Sequence, residues 1–309
     1  MRLGVLDIGS NSVHFLVVDA HYGAAPVPAH KSKVELQLAQ TAAPDGAIST
    51  ESIAALVDFI HASQELSEGL GVNQTIAFAT SAIRDAPNQS QLREQVLAET
   101  SVDIDVLSGE VEAELTFLAV RRWLGWSAGR IMVFDIGGGS LEIAVGEDEE
   151  PDNAVSLPLG AGSLTRRFIR EDPPQESEIK ALRKYVRLEV AATASLLSKG
   201  EKPRIFVGTS KTLKQLARIA GAKESSAGPY ADRRLTLQGV QESISRLSSL
   251  PDSQRKQISG VSNGRSGQLL AGALVAEAAM ELFHAEELAI CPWALREGVI
   301  LRALDALSN

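Results

Sequence analysis

The 309-residue sequence holds a single cysteine, Cys291, which excludes an internal disulfide framework and any cysteine-rich metal site. Low-complexity tracts are missing, and so is any apolar run long enough to cross a bilayer, so neither disorder nor membrane insertion is expected. Positive charge is in deficit: 30 Lys and Arg stand against 39 Asp and Glu, a formal net charge of −9. That balance argues against general nucleic-acid binding, whose affinity rests on neutralising many phosphates. A polyanionic ligand therefore needs a local basic track, for which Arg121-Arg122, Arg166-Arg167 and Arg233-Arg234 are candidates. The five histidines are scattered without ligand spacing, and His14, beside Phe15 in an apolar run, reads as a satisfied structural residue. No secretory leader is evident, because the run Met1 to Leu6 meets Asp7 before any small-residue cleavage site. A cytoplasmic location is the expectation.

Hydrophobic residues make up 44% and charged residues 22%, so the chain can bury a sizeable core. Its length exceeds what one core usually serves, and two domains are expected. Arg2 to Leu6 and Val13 to Val18 read as strands flanking the turn Asp7-Ile8-Gly9-Ser10-Asn11-Ser12. The same device recurs as Ile131 to Phe134, the turn Asp135-Ile136-Gly137-Gly138-Gly139-Ser140, and Leu141 to Val145, which suggests a duplicated domain. Between the copies, Ile53, Leu56, Val57 and Ile60 predict an amphipathic helix over about 50–68, capped by Ser49. Thr75 to Ala79 and Val102 to Leu107 read as strands, each running into a helix, the second of which has Ser108 as its N-cap. Ile179, Leu182 and Val186 mark a further helix. Pro203 to Val207 is then a strand entering a third small-residue turn, Gly208-Thr209-Ser210-Lys211-Thr212, with a helix from Leu213 to Ala220. Strands alternating with helices in both halves define an α/β protein.

Glycine turns let successive backbone N–H groups approach an anion unhindered, and Ser10, Asn11, Ser12 and Ser140 add donors at the rim. One such loop is explained by a tight hairpin alone, but two matched loops, each led by an aspartate, point to phosphate. Asp7 and Asp135 end apolar strands, where a carboxylate is costly unless paired or bound to a cation. Glu142 offers a second acid, because strand alternation sets it opposite in direction to Leu141 and Ile143. Magnesium is usually held by one or two carboxylates together with substrate phosphates. Glu110, Glu112 and Glu114 crowd the start of a helix, where the helix dipole is a sufficient reason for all three. One of them is a candidate general base, and spacing does not choose among them. Arg84, after the Thr80-Ser81 turn, is placed either to clamp phosphate oxygens or to pair with Asp85.

The two loops resemble the phosphate-binding loops of the acetate and sugar kinase, Hsp70 and actin superfamily. Three further segments are similar to those of the exopolyphosphatase and guanosine pentaphosphate phosphohydrolase family: Thr80 to Ala86, Ser108-Gly109-Glu110-Val111-Glu112-Ala113, and Ala294-Leu295-Arg296-Glu297-Gly298. The resemblance runs from residue 3 to about residue 302. It implies two actin-like, ribonuclease H-like domains, each a mixed sheet flanked by helices, with the active site in the interdomain cleft. Domain boundaries are expected at 1–124 and 125–296, with a helix at about 297–309 packing back on the first domain. By the same similarity Glu112 is the general base, Arg84 a phosphate-contacting arginine, and Gly137, Gly138, Gly139 and Ser140 the second phosphate loop. Asp135 and Glu142 then match the metal-associated acids, for Mg2+ or Mn2+ in its place, and Asp7, at the end of its own strand, is a further metal candidate. Gly9, Ser10, Asn11 and Ser12 form the first loop, and Ser210 and Lys211 complete the phosphate contacts.

Two departures from the family pattern shape the expected activity. The chain resembles the short form, without the additional helical domain that longer members carry. Lys211 stands where many relatives have glycine, at the turn corresponding to the superfamily's adenosine-contacting loop, where a long cation would crowd a base and attract a phosphate chain. The expected function is release of terminal phosphate from inorganic polyphosphate, with guanosine pentaphosphate hydrolysis as the alternative. An ATPase or kinase, or a non-catalytic phosphate sensor, is more distant. A homodimer is implied only by the family.

Overall fold

Among the described residues, eleven strands form two sheets. In the computed structural model, which describes residues 1–307 apart from residues 22, 39 and 44, they are β1 (Arg2–Ile8), β2 (Val13–Asp19), β3 (Pro28–Val34), β4 (Gln74–Ala79), β5 (Asp105–Val106), β6 (Ile131–Ile136), β7 (Leu141–Gly146), β8 (Asn153–Leu157), β9 (Ile205–Gly208), β10 (Arg234–Thr236) and β11 (Glu287–Ile290). The helices are α1 (Thr50–Leu70), α2 (Ser81–Arg84), α3 (Gln89–Thr100), α4 (Gly109–Leu124), α5 (Ala161–Phe168), α6 (Glu176–Leu197), α7 (Ser210–Ile219), α8 (Leu237–Ser248), α9 (Asp252–Arg255), α10 (Leu269–Leu282) and α11 (Leu295–Ala306). No helix among the described residues is long and apolar enough to cross a membrane.

The chain divides into two compact units, Met1–Val111 with the segment from Arg296, and Glu112–Leu295. The division falls inside α4 rather than after Leu124. The physical reason is that Ala113, Phe117 and Val120 pack with Ile131, Val133, Ala144 and Val207 of the second unit's sheet.

The first unit's sheet has the order β3-β2-β1-β4-β5, antiparallel on the hairpin side and parallel where β1 meets β4 and β4 meets β5. Alternation along β1 and β2 sends Leu6, Ile8, Phe15 and Val17 to one face, where Ile53, Leu56, Val57 and Ile60 of α1 and Leu92 and Val96 of α3 cover them. The Ser49 side chain accepts from the Ser52 N–H at the start of α1, and Gly71 closes the helix in the left-handed region with φ 66°. The strand expected over Val102 to Leu107 is only two residues long, because β5 is an edge strand that pairs with β4 at Phe78 and Ala79 alone.

The second unit's sheet has the order β10-β11-β9-β6-β7-β8, parallel in the middle and antiparallel at both edges. Met132, Phe134, Ile136, Leu141, Ile143 and Val145 point to a face shared with α5, α6, α7, α8 and α10. The opposite face belongs to α4. Helix α7 begins at Ser210, three residues earlier than its apolar periodicity indicates.

Candidate active site

The second glycine loop is held from behind. Its turn closes with the Gly137 N–H donating to the Ser140 carbonyl at 2.9 Å. All three glycine carbonyls then accept from the start of α5: Gly137 from Ala161 at 3.0 Å, Gly138 from Gly162 at 2.9 Å and Ser163 at 3.0 Å, and Gly139 from Gly160 at 3.1 Å. In a planar trans peptide the C=O and the following N–H point opposite ways. Fixing the carbonyls toward α5 therefore aims the N–H groups of Gly138, Gly139 and Ser140 away from it. None of those three has an acceptor among the described residues, which leaves a concavity of oriented donors suited to a phosphoryl group. The clamp leaves no room for a side chain at Gly160, whose β-carbon would sit 2.2 Å from the Gly139 carbonyl carbon. Gly160→Ala is expected to push the loop out of place, cost about 1–3 kcal/mol of stability, and weaken phosphate binding. Melting and orthophosphate titration would check this, and unchanged phosphate affinity would refute the clamp.

Register brings acids together beside this loop. Asp135 on β6 lies directly opposite Glu142 on β7, and Glu142 lies directly opposite Ser156 on β8. Partners in an antiparallel pair share a face, with β-carbons about 4.5–5.5 Å apart. Two like charges so placed repel unless a cation or proton intervenes. Glu142 is only 5% exposed, and its Oε1 accepts from the Ser156 hydroxyl at 2.9 Å. Burial pushes the Asp135 carboxyl up to about 6, against the opposing pull of Lys214 and Arg265. Among the described residues no group of three or more His, Cys, Asp or Glu gathers as a metal cage. A pair of acids side by side on one sheet face nevertheless fits Mg2+ in kind, since that ion is usually held by one or two carboxylates together with waters and substrate phosphates.

Glu112 belongs to the same sheet face. Asp135 follows Val133 by two residues, so both point toward α4. A β-carbon placed at Gly146, at the far end of the β6-β7 hairpin, would lie 3.2 Å from the Phe117 ring. Helix α4 thus runs with its later turns toward Gly146 and its first turns toward Asp135 and Glu142. The Ser108 hydroxyl accepts from the Val111 N–H at 3.2 Å and caps the helix, as its sequence position suggests. Of the three glutamates that follow, Glu110 is exposed, Glu114 intermediate, and Glu112 buried at 6% exposure. Burial thus sets Glu112 apart from the other two.

The third turn, Gly208 to Thr212, lies at the carboxyl end of β9. Thr209 is fully buried, donating its N–H to Phe134 O at 3.0 Å and its hydroxyl to Trp293 O at 2.6 Å. Ser210 opens α7 with φ 66°, a left-handed conformation uncommon for a residue with a β-carbon and concentrated at functional sites. Lys211 is exposed. Lys214, one turn on, donates to Pro292 O at 2.8 Å and acts electrostatically on Asp135.

The first unit repeats the loop with different surroundings. Gly9 N–H donates to Ser12 O at 3.2 Å, matching Gly137 and Ser140. Ser10 Oγ meets Ser81 Oγ at 3.2 Å, which ties the loop to the start of α2. Asn11 Oδ1 accepts from Gln40, while its buried Nδ2 has no partner among the described residues, a donor left for an anion. Ser12 Oγ meets His14 Nε2 at 3.0 Å, so His14 is satisfied as expected. Asp7 is engaged differently from Asp135: its Oδ2 accepts from Arg296 Nε at 3.0 Å and Nη2 at 2.7 Å. Arg84 donates from Nε to Asp85 at 3.1 Å and from Nη1 to Leu107 O at 3.3 Å.

Two of the three candidate basic tracks are tied into the fold. Arg121 is buried and donates to the carbonyls of Gly125, Gly129 and Glu147. Arg122 pairs with Glu149, Arg234 with Asp232 and Glu287, and Arg233 ties down the carbonyls of the 223–231 loop. Arg166 and Arg167 are exposed, and Arg167 lies over the Phe168 and Tyr185 rings. Sequence reasoning missed Lys214, Arg265 and Ser156. Lys214 has a faint signal, one helical turn after Lys211, whereas Ser156 needs the β7-β8 register.

Two mixed sheets flanked by helices, with a glycine-loop hairpin in each, define an α/β protein of the two-domain actin-like class. The profile of the Ppx/GppA phosphatase family matches residues 16–307, and the chain belongs to that family. Exopolyphosphatase 1 of Mycobacterium tuberculosis is 48% identical over 306 residues, covering 99% of this chain and 89% of the relative. The crystal structure of the Aquifex aeolicus Ppx/GppA family member matches with a TM-score of 0.82 at 25% identity, covering 100% of this chain and 99% of the other. An exopolyphosphatase structure from Cytophaga hutchinsonii gives a TM-score of 0.88 at 24% identity, with 99% of each chain covered.

Proposed function

We propose that the chain is an exopolyphosphatase that removes orthophosphate from the end of inorganic polyphosphate. The observation that carries this is the second unit's grouping of a phosphate-binding loop, an acid pair and a buried glutamate on one sheet and its covering helix. A pure phosphate binder needs the first but has no use for a desolvated carboxylate such as Glu112. The relatives named as exopolyphosphatases support the choice of substrate.

In this mechanism the N–H groups of Gly138, Gly139 and Ser140 hold the oxygens of the terminal phosphoryl group. Lys211 and Lys214 add positive charge for the oxygens of the remaining chain. Glu112 orients a water and accepts its proton as the oxygen bonds to phosphorus. The bridging P–O bond breaks, leaving a chain one phosphate shorter and free orthophosphate. Phosphoryl transfer asks the protein mainly for positioning and charge stabilisation, which these groups supply. Mg2+ or Mn2+, held by Asp135 and Glu142 when bound, would neutralise charge on the phosphoryl oxygens.

Orthophosphate release with Mg2+ across defined polyphosphate lengths, beside guanosine pentaphosphate and ATP, tests this. Turnover of guanosine pentaphosphate without polyphosphate would replace the proposal by its alternative. Lys211 gives a finer test, because a charged hydrogen bond is worth about 1.5–3 kcal/mol. Lys211→Gly is expected to raise KM for long chains about tenfold while sparing guanosine pentaphosphate. An equal effect on both would remove Lys211 from substrate choice.

A further inference from the structure

The same three-strand row occurs in both units with opposite chemistry. In the second unit, β6, β7 and β8 line up Asp135, Glu142 and Ser156. In the first, β1, β2 and β3 line up Asp7, His14 and Lys33. The first row sets one acid, already paired with Arg296, beside a histidine and a lysine. The second sets two acids beside a neutral hydroxyl that donates to one of them. A lysine in the third position would compete with a metal for Glu142, whereas a serine hydroxyl holds the carboxylate without neutralising it.

We propose that Ser156 is a positioning residue for the cation of the acid pair: by donating to Glu142 Oε1, it holds the Glu142 carboxylate in the row beside Asp135. This rests on the metal reading given above. A glutamate side chain has three rotatable bonds, and fixing it before the ion arrives spares that ordering at binding. Outer-shell partners of ligating carboxylates change metal affinity about 10–100-fold when lost. Ser156 is half-buried on the edge strand β8, where a β-branched replacement suits the backbone.

The test uses Mn2+ alone, with no phosphate present, and reads free Mn2+ by electron paramagnetic resonance. Ser156→Thr keeps the hydroxyl, and Ser156→Val keeps threonine's shape without it, so their ratio isolates the hydrogen bond from strand packing. The expected result is near-native Mn2+ affinity for the threonine variant and an affinity about 10–100-fold weaker for the valine variant. Asp135→Asn serves as the control for the acid pair itself. If the native protein binds no Mn2+, or binds it equally well after Asp135→Asn, the acid pair is not the metal site and both ideas fall. If Asp135→Asn abolishes binding while the valine and threonine variants bind alike, the acid pair stands and the role of Ser156 is refuted.

Discussion

Glu112→Gln is expected to lower kcat for orthophosphate release by about a hundredfold to ten-thousandfold, the usual worth of a general base. Glutamine matches glutamate in shape and can still hold a water by hydrogen bonding, so substrate KM should barely move. What it cannot do is take the proton. The capped start of α4 fixes the position of this residue, and its burial separates it from its neighbours in the same helix. Glu110→Gln, on the exposed side of the same turn, should therefore retain near-normal kcat and melting temperature. Single-turnover phosphate release from a defined polyphosphate is the measurement. A Glu112→Gln protein that folds normally and releases phosphate at close to the native rate would remove this residue from the chemistry.

Asp135→Asn is expected to separate activity from stability. If the proposed acid pair holds the cation, loss of one of its two carboxylates should cost about a hundredfold or more in Mg2+-dependent turnover, given the several kcal/mol of charge stabilisation that such an ion provides. The metal-free protein should respond in the other direction. The Asp135 carboxyl, pushed up to about 6 by burial, holds its proton in the folded state over a range where the unfolded chain has already released it. Its contribution is thus present at low pH and is lost as pH rises through about 6. Metal-free native protein should consequently lose stability from this group between pH 5 and pH 7, roughly the upper part of that window. Asparagine, which has no charge to bury, should flatten the dependence and raise the melting temperature near pH 7.5. Thermal melts in a chelator across this range would show it. A native melting curve that gains stability as pH rises through the window, with Asp135→Asn offering no gain, would refute the account.

Local chemistry made much of the fold legible. Ser49, the apolar spacing of Ile53 to Ile60, and Gly71 are all visible in the sequence, and α1 follows from them with its caps. The two Asp-led glycine turns were legible for the same reason, since each is bounded by apolar strands that fix its ends. What escaped depends on contacts distant in sequence. The segment Gly160 to Ser163 reads as an ordinary loop and helix start, yet it fixes the peptide planes of Gly137 to Gly139. Ser156 reads as one serine among many until the β7-β8 register sets it opposite Glu142. Apolar periodicity placed the start of α7 at Leu213, but the helix begins at Ser210 with a left-handed residue that no hydrophobic pattern announces. Glu112 was singled out by family resemblance, and its burial in the fold supplies a physical reason that spacing lacked.

The pairing of Asp7 with Arg296 joins residues 289 positions apart in the chain. Because the first unit takes its last helix from beyond the second, the order of synthesis and the order of completion differ. Glu112–Leu295 is contiguous and can fold without waiting for a distant segment. The hairpin that carries the first glycine loop, made earliest, must wait with a half-buried carboxylate until the segment from Arg296 arrives. Such long-range closure slows folding, so completing the first unit carries a chain-closure cost that the contiguous second unit does not.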